Sequence, residues 1–149
     1  MKVGEVCNRE VIVLDREGTI LEATQLMRRH HVGSVVVTSE QSGVLVPVGI
    51  LTDRDIVVEL LAEQVPLEAV AVGDAMSADL LTVREEEELM EVIQQMRSRG
   101  VRRVPVVTHS GALTGVLAVD DLIDLIAEQL GDLVRLIGNE QQRERQNRG

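Results

Sequence analysis

Residues Gly49-Ile50-Leu51-Thr52-Asp53-Arg54-Asp55-Ile56 return as Gly115-Val116-Leu117-Ala118-Val119-Asp120-Asp121-Leu122. A chain that repeats itself in this way folds as copies of one supersecondary unit, so the repeat constrains the architecture before any single element is read. The likeness runs well beyond eight residues. Val3-Gly4-Glu5-Val6-Cys7 matches Val72-Gly73-Asp74-Ala75-Met76, 69 positions later, and Met27 and Val32 match Met96 and Val101 at the same offset. By Gly49 and Gly115 the offset is 66, so the first copy carries three extra residues between Val37 and Gly49. The expected organisation is a first module over 1–64, a linker over 65–71, a second module over 72–130, and a tail over 131–149 that has no counterpart.

Each module reads as strand, helix, strand, strand, helix. In the first, Val11–Leu14 is a short apolar run. Thr19 with Glu22 has the form of a capping box opening a helix whose apolar residues are Ile20, Ala23, Leu26 and Met27. Val32–Val37 and Val44–Leu51 read as strands around a turn at Glu40–Gly43, with Pro47 marking an edge or a bulge. Thr52 or Asp53 caps a second helix to about Glu63. In the second module, Leu80–Val83 is expected as a strand and Glu86–Arg99 as a helix, with the acidic run Glu85–Glu88 in its first turn, where the helix dipole favours it. Val104–Val107 and Leu113–Leu117 are strands around Ser110-Gly111, and Asp120–Leu130 is the last module helix. In the tail, Leu130, Leu133, Val134 and Ile137 keep helical spacing, which predicts an amphipathic helix fraying near Arg143.

The 149 residues contain no Phe, Tyr or Trp, although 44% are hydrophobic. The core must be aliphatic, and a planar ligand would be held between aliphatic side chains. The net charge of -10 disfavours a nucleic-acid partner and an anionic membrane surface. No run is long and apolar enough to span a bilayer, no signal peptide is apparent, and one cysteine excludes an internal disulfide framework; a cytoplasmic location is expected. His30 and His31 point in different directions on a helix and cannot share a metal. None of the serine-hydrolase, phosphate-loop or zinc-protease motifs occurs, so neither a catalytic residue nor a required cofactor is expected.

The doubled Gly-hydrophobic-hydrophobic-Thr-x-x-Asp unit, the Val-Gly-Asp-Ala-Met lead-in at 72–76, the helices ending at Met27 and Met96, and Val101-Arg102-Arg103-Val104-Pro105-Val106 together resemble the CBS domain, named after cystathionine β-synthase, over about residues 3–130. The resemblance implies an α+β fold in which two tandem β-α-β-β-α modules pack about a pseudo-twofold axis, here followed by a C-terminal helix. It also implies two clefts that accept adenosine compounds such as AMP, ADP, ATP, NAD or S-adenosylmethionine, a regulatory role exerted on a separate effector protein, and assembly as a homodimer.

Carried over residue by residue, the first cleft would hold Asp55 for the ribose hydroxyls, Thr52 for ribose or phosphate, and Arg102 and Arg103 for phosphate; guanidinium groups match phosphate geometry. The second cleft keeps Asp121 but has Ala118 in place of the hydroxyl residue, and Gly33 and Ser34 where the arginines would be. One tight ligand per chain is the expectation. Two other readings stand beside it: a structural dimerisation module with empty clefts, and a small enzyme acting on nucleotides. Thr52 and Asp55 could equally be helix caps.

Overall fold

The computed structural model describes residues 1–148. The chain divides into two compact units, Met1–Leu117 and Ala118–Gly149. In order, the elements are α1 (Val3–Val6), β1 (Val13–Asp15), α2 (Ile20–His30), β2 (Ser34–Gln41), β3 (Val44–Thr52), α3 (Asp53–Asp55), which continues as a π-helical turn over Ile56–Leu61, α4 (Val72–Ala75), β4 (Val83–Arg84), α5 (Leu89–Arg99), β5 (Arg103–Val107), β6 (Leu113–Ala118) and α6 (Val119–Arg148). Two three-stranded sheets, β1-β2-β3 and β4-β5-β6, give the mixed α+β architecture expected from the repeat. In the first, β1 runs parallel to β2 and β2 antiparallel to β3.

Sequence chemistry accounts for most of these boundaries. Thr19 caps α2 by accepting a hydrogen bond from the Glu22 amide at 3.1 Å. The β2–β3 hairpin turns on Ser42 and Gly43, both at positive φ (52° and 82°), so β2 runs through Gln41 and the turn is tighter than the four residues expected. Pro47 sits on the edge strand β3, and pairing slips by one residue just after it, at Val48: Val37 faces Gly49 while Thr38 faces Pro47. An edge position and a bulge both tolerate a residue without an amide hydrogen. The helix after Thr52 ends two residues early, at Leu61, and its last turns are wound wider: the Ala62 amide bonds to Val57 O, five residues back, at 3.0 Å.

The first core gathers Ile20, Ala23 and Met27 from α2, Val35, Val37 and Leu51 from β2 and β3, Ile56 and Leu60 from the π-turn, and Val72. Val72 belongs by sequence to the second copy, yet it is wholly buried in the core of the first. This is one side of a reciprocal exchange. Val3 N donates to Glu87 O and Val72 N to Gly18 O; Gly4 N donates to Glu85 O and Gly73 N to Arg16 O; Leu89 N donates to Met1 O and Ile20 N to Val70 O. Each pair maps onto its partner by the offset of 69 read from the sequence. The bridges Asn8–Val116 and Ile50–Ser77 match in the same sense. Each copy therefore gives the segment that precedes its first strand to the other copy, and this mutual donation is the physical content of the pseudo-twofold relation.

The exchange corrects two expectations. Glu85–Glu88 is not in the first turn of a helix, because α5 begins at Leu89. The run forms a turn, with the Glu87 amide bonded to Arg84 O at 3.2 Å, and it receives the N-terminal segment through Glu85 O and Glu87 O; its side chains pair outward, Glu85 with Arg9, and Glu88 with Lys2 and the N-terminal ammonium. The Arg9 guanidinium holds Glu85 below the usual carboxylate range, and the Lys2 ammonium does the same for Glu88. The expected strand Leu80–Val83 shrinks to Val83–Arg84, and Leu80 and Leu81 are irregular chain with another task, described below.

The repeated glycine at the head of the Gly-hydrophobic-hydrophobic unit follows from the same exchange. A Cβ on Gly49 would lie 2.4 Å from Met76 Sδ and 2.8 Å from Ser77 O, and one on Gly115 would lie 2.9 Å from both Asn8 O and Cys7 Sγ. The donated segment crosses each strand where no side chain can stand. Gly49→Ala must push that backbone aside, at a cost of about 1–3 kcal/mol. For a chain of this length that is a fall of roughly 3–10 °C in melting temperature by calorimetry. An unchanged melting temperature would show that the crossing is looser than the geometry indicates.

The second unit is one continuous helix, α6, through Gly131 and on to Arg148. The helix expected to end at Leu130 and the tail expected to fray near Arg143 are parts of this one element. Among the described residues no helix is long and apolar enough to cross a membrane.

Candidate functional site

Four of the sequence-predicted residues converge. Thr52, Asp55, Arg102 and Arg103 line one cavity of about 300 Å³, together with Ser34, Ile50, Ser77, Asp79, Leu80, Leu81 and Val101. Its volume is at the lower end of the range for small-molecule sites, roughly 300–1,000 Å³. All of these residues lie within the unit Met1–Leu117.

Each wall has a local cause. Thr52 ends β3, and its Oγ1 accepts a hydrogen bond from the Asp55 amide at 3.1 Å, while Asp55 Oδ2 accepts one from the Thr52 amide at 3.0 Å. This reciprocal box is the capping role open to these two residues, and the cavity role coexists with it. A carboxylate has two oxygens and about four lone-pair sites, so one bond to Thr52 leaves most of the acceptor capacity of Asp55. The Thr52 hydroxyl likewise keeps a donor. Ser34 faces Thr52 directly across the β2–β3 pairing, which places it on this cavity. Sequence reasoning had set Ser34 in the second cleft. Its neighbour Gly33 takes no part here: its carbonyl accepts from the Asp53 amide at 2.9 Å.

The opposite wall comes from the second copy. Ser77 is fixed by a two-way backbone bridge to Ile50, with N···O distances of 3.3 and 3.1 Å. From there the chain turns at Ala78–Leu80, where the Leu80 amide donates to Ala78 O at 3.0 Å, and continues irregularly through Leu81, where the expected strand does not form. Asp79 is paired with Arg99 at 2.7 Å. Arg102 and Arg103 arrive from the approach to β5, Arg103 half-buried and Arg102 exposed. The result is an aliphatic slot of Ile50, Leu80, Leu81 and Val101, to which the first copy brings the Asp55 carboxylate and the Thr52 and Ser34 hydroxyls, and the second copy the two guanidinium groups, the Ser77 hydroxyl and the Asp79 carboxylate, the last tied to Arg99. The lining residues other than Thr52, Asp55, Arg102 and Arg103 were missed in the sequence, although the Ser77-Ala78-Asp79 turn chemistry before an aperiodic Leu-Leu pair points away from a strand.

Asp121 is in the first turn of α6, in the separate helical unit. His109 lies on the surface, where its ring nitrogens contact Arg84 at 3.1 Å and Glu86 at 2.9 Å. Among the described residues, no group of three His, Cys, Asp or Glu side chains is placed to hold a metal.

The repeat, the two sheets and this cavity define a class of protein, and the comparisons agree on it. The CBS domain matches residues 3–62 and again 72–128, so the chain belongs to the CBS domain family. An uncharacterized protein of Methanopyrus kandleri, MK0525, is 34% identical over 125 residues, covering 84% of this chain; the chain spans 62% of that relative's length. The CBS domain-containing protein YhcV of Bacillus subtilis is 33% identical, with 80% of this chain and 81% of the relative covered. Among solved structures, the CBS domain protein PAE2072 of Pyrobaculum aerophilum, complexed with AMP, is 26% identical with a TM-score of 0.73, covering 82% of this chain and 90% of its own.

Proposed function

We propose that this chain is a non-catalytic regulatory module that binds an adenosine compound carrying phosphate, such as AMP, ADP, ATP or NAD, in the cavity lined by Thr52, Asp55, Arg102 and Arg103. The observation that carries the reading is the convergence of Asp55 and Thr52 from one copy with two arginines from the other on a single aliphatic slot. In this reading Asp55 accepts from the two ribose hydroxyls, Thr52 donates to ribose or phosphate, and Arg102 and Arg103 take the phosphate. The base lies between Ile50, Leu80, Leu81 and Val101, as a chain without aromatic residues requires. Support comes from PAE2072, a relative in fold whose structure contains AMP.

The remaining features follow from this reading. Because each wall belongs to a different copy, a ligand that bridges them changes how the copies are held, and a ligand shifts a conformational equilibrium by its differential affinity for the two states. An effector protein outside this chain would read that shift. Asp121 keeps a ribose anchor without arginines, so the expected stoichiometry is one tight ligand per chain. The module is taken to act as a cytoplasmic homodimer, with no nucleic-acid or membrane partner for a surface of charge -10.

Calorimetric titration with AMP, ADP, ATP, NAD and S-adenosylmethionine tests the reading. One saturable site per chain for at least one phosphate-bearing ligand is expected, with added ATP recovered intact. The protein lacks Trp and Tyr, so nucleotide carried through purification would dominate its absorbance near 260 nm. No heat from any ligand, together with a blank spectrum, would leave a structural dimerisation module. Turnover of ATP would make the chain an enzyme.

A further inference from the structure

We propose that α6 pairs with α6 of a second copy of this chain as an antiparallel two-helix coiled coil centred between Gly131 and Asp132. The proposal deepens the homodimer reading and rests on it. Ile123, Ile126, Leu130, Leu133 and Ile137 follow a 3-4-3-4 spacing along α6, and each is between 57 and 61% exposed. That spacing keeps a single seam turned toward a partner helix. Ala127 and Val134 widen the seam on one flank and Leu136 on the other. Gly131 and Gly138, seven residues apart, both fall away from it. Glycine is a poor helix former, so an unbroken helix through both depends on packing more than on propensity.

Charge selects both the occupant and its direction. Up to Asp132 the helix carries Asp120, Asp121, Asp124, Glu128 and Asp132 and no base. Beyond it, Arg135, Arg143, Arg145 and Arg148 outnumber Glu140 and Glu144. A parallel pair would lay acid against acid along the first turns. An antiparallel pair removes that clash: residues 120–131, with four acids, lie beside residues 132–143, whose two arginines offset two acids, and because one helix holds both segments, a second copy supplies the whole complement through a twofold interface. With the stated centre, Ile126 meets Ile137 and Leu130 meets Leu133 of the other copy, each layer made twice. At the centre, Arg135 already pairs with Asp132 of its own helix at 2.8 Å, so no net charge collects there.

The test uses the full chain at tens of micromolar. Light scattering should give a dimeric mass, and the double variant Leu130→Asp/Leu133→Asp should give a monomeric one while retaining the melting transition of Met1–Leu117. A nitroxide on Gln142→Cys, in a Cys7→Ser background, should report an intermolecular distance of about 30 Å, from about 1.5 Å rise per residue on either side of the centre. A distance under about 20 Å would overturn the antiparallel direction. A dimer that survives the double variant would place the contact elsewhere and overturn the coiled coil while sparing the homodimer. A monomeric wild-type chain would overturn both.

Discussion

Asp55→Ala is expected to weaken nucleotide binding by a hundredfold or more, while Asp121→Ala leaves it within about twofold. The contrast follows from where the two carboxylates lie. Asp55 lines the cavity opposite Arg102 and Arg103, and it spends one bond on the Thr52 amide. Hydrogen bonds to a charged group contribute about 1.5–3 kcal/mol each, so losing two ribose contacts removes roughly 3–6 kcal/mol. Each 1.4 kcal/mol is a factor of about ten in affinity. Asp55 also closes the capping box, so its removal costs about 1 kcal/mol of stability as well. Asp55→Asn separates the two effects. An amide oxygen can still accept from the Thr52 amide, so the melting temperature should hold, while a neutral acceptor binds the ribose hydroxyls more weakly and affinity should fall by about tenfold or more. Calorimetry on the three variants decides the matter. Loss of the tight site in Asp121→Ala, or full binding by Asp55→Ala, would overturn the assignment.

How much of this could be read from residues alone depended on whether the signal was periodic or conformational. The repeat carried the fold class, because the offset that aligns Val3–Cys7 with Val72–Met76 is the same offset that relates Gly4–Glu85 to Gly73–Arg16 in space. The resemblance to the CBS domain carried four cavity residues, since Thr52, Asp55, Arg102 and Arg103 stand at its motif positions with side chains suited to ribose or phosphate. What the repeat did not carry was the exchange itself. Alignment shows that two segments are alike; it does not show that each packs in the other's half. For that reason Glu85–Glu88 looked like the acidic first turn of a helix, when the Val3 and Gly4 amides at the start of α1 occupy the Glu87 and Glu85 carbonyls instead. Leu80 and Leu81 looked like a strand because apolar pairs do, yet they have no alternation and line the slot. Ser34 was misplaced for a related reason: matched by alignment to Arg103, it faces the same cavity as Arg103, since cross-strand pairing with Thr52 overrides what the repeat suggests. The π-helical winding after Asp55 left no mark in composition, because Ile56–Leu61 is as good an α-helical run as its counterpart after Asp121.

Arg103→Ala is expected to weaken AMP by about ten- to a hundredfold and to leave adenosine nearly unchanged. Arg103 is half-buried on the wall facing Asp55, in a chain whose net charge of -10 repels an anion everywhere else. An anionic ligand then depends on local positive charge both to approach and to stay. A guanidinium–phosphate hydrogen bond is charge-assisted on both sides, and partial burial protects it from the screening that reduces exposed pairs. Arg102 is exposed, so Arg102→Ala should cost less, in keeping with the small worth of solvated ion pairs. The comparison between ligands is what makes the test specific. If Arg103 merely holds the approach to β5 in place, its removal disturbs Val101 and Leu81 as well, and AMP and adenosine weaken together. If it holds phosphate, only the ligand with phosphate responds. Arg103→Lys refines the point, because an ammonium keeps the charge and loses the planar fork. It should recover part of the AMP affinity, and no recovery at all would mean that geometry matters more than charge at this wall.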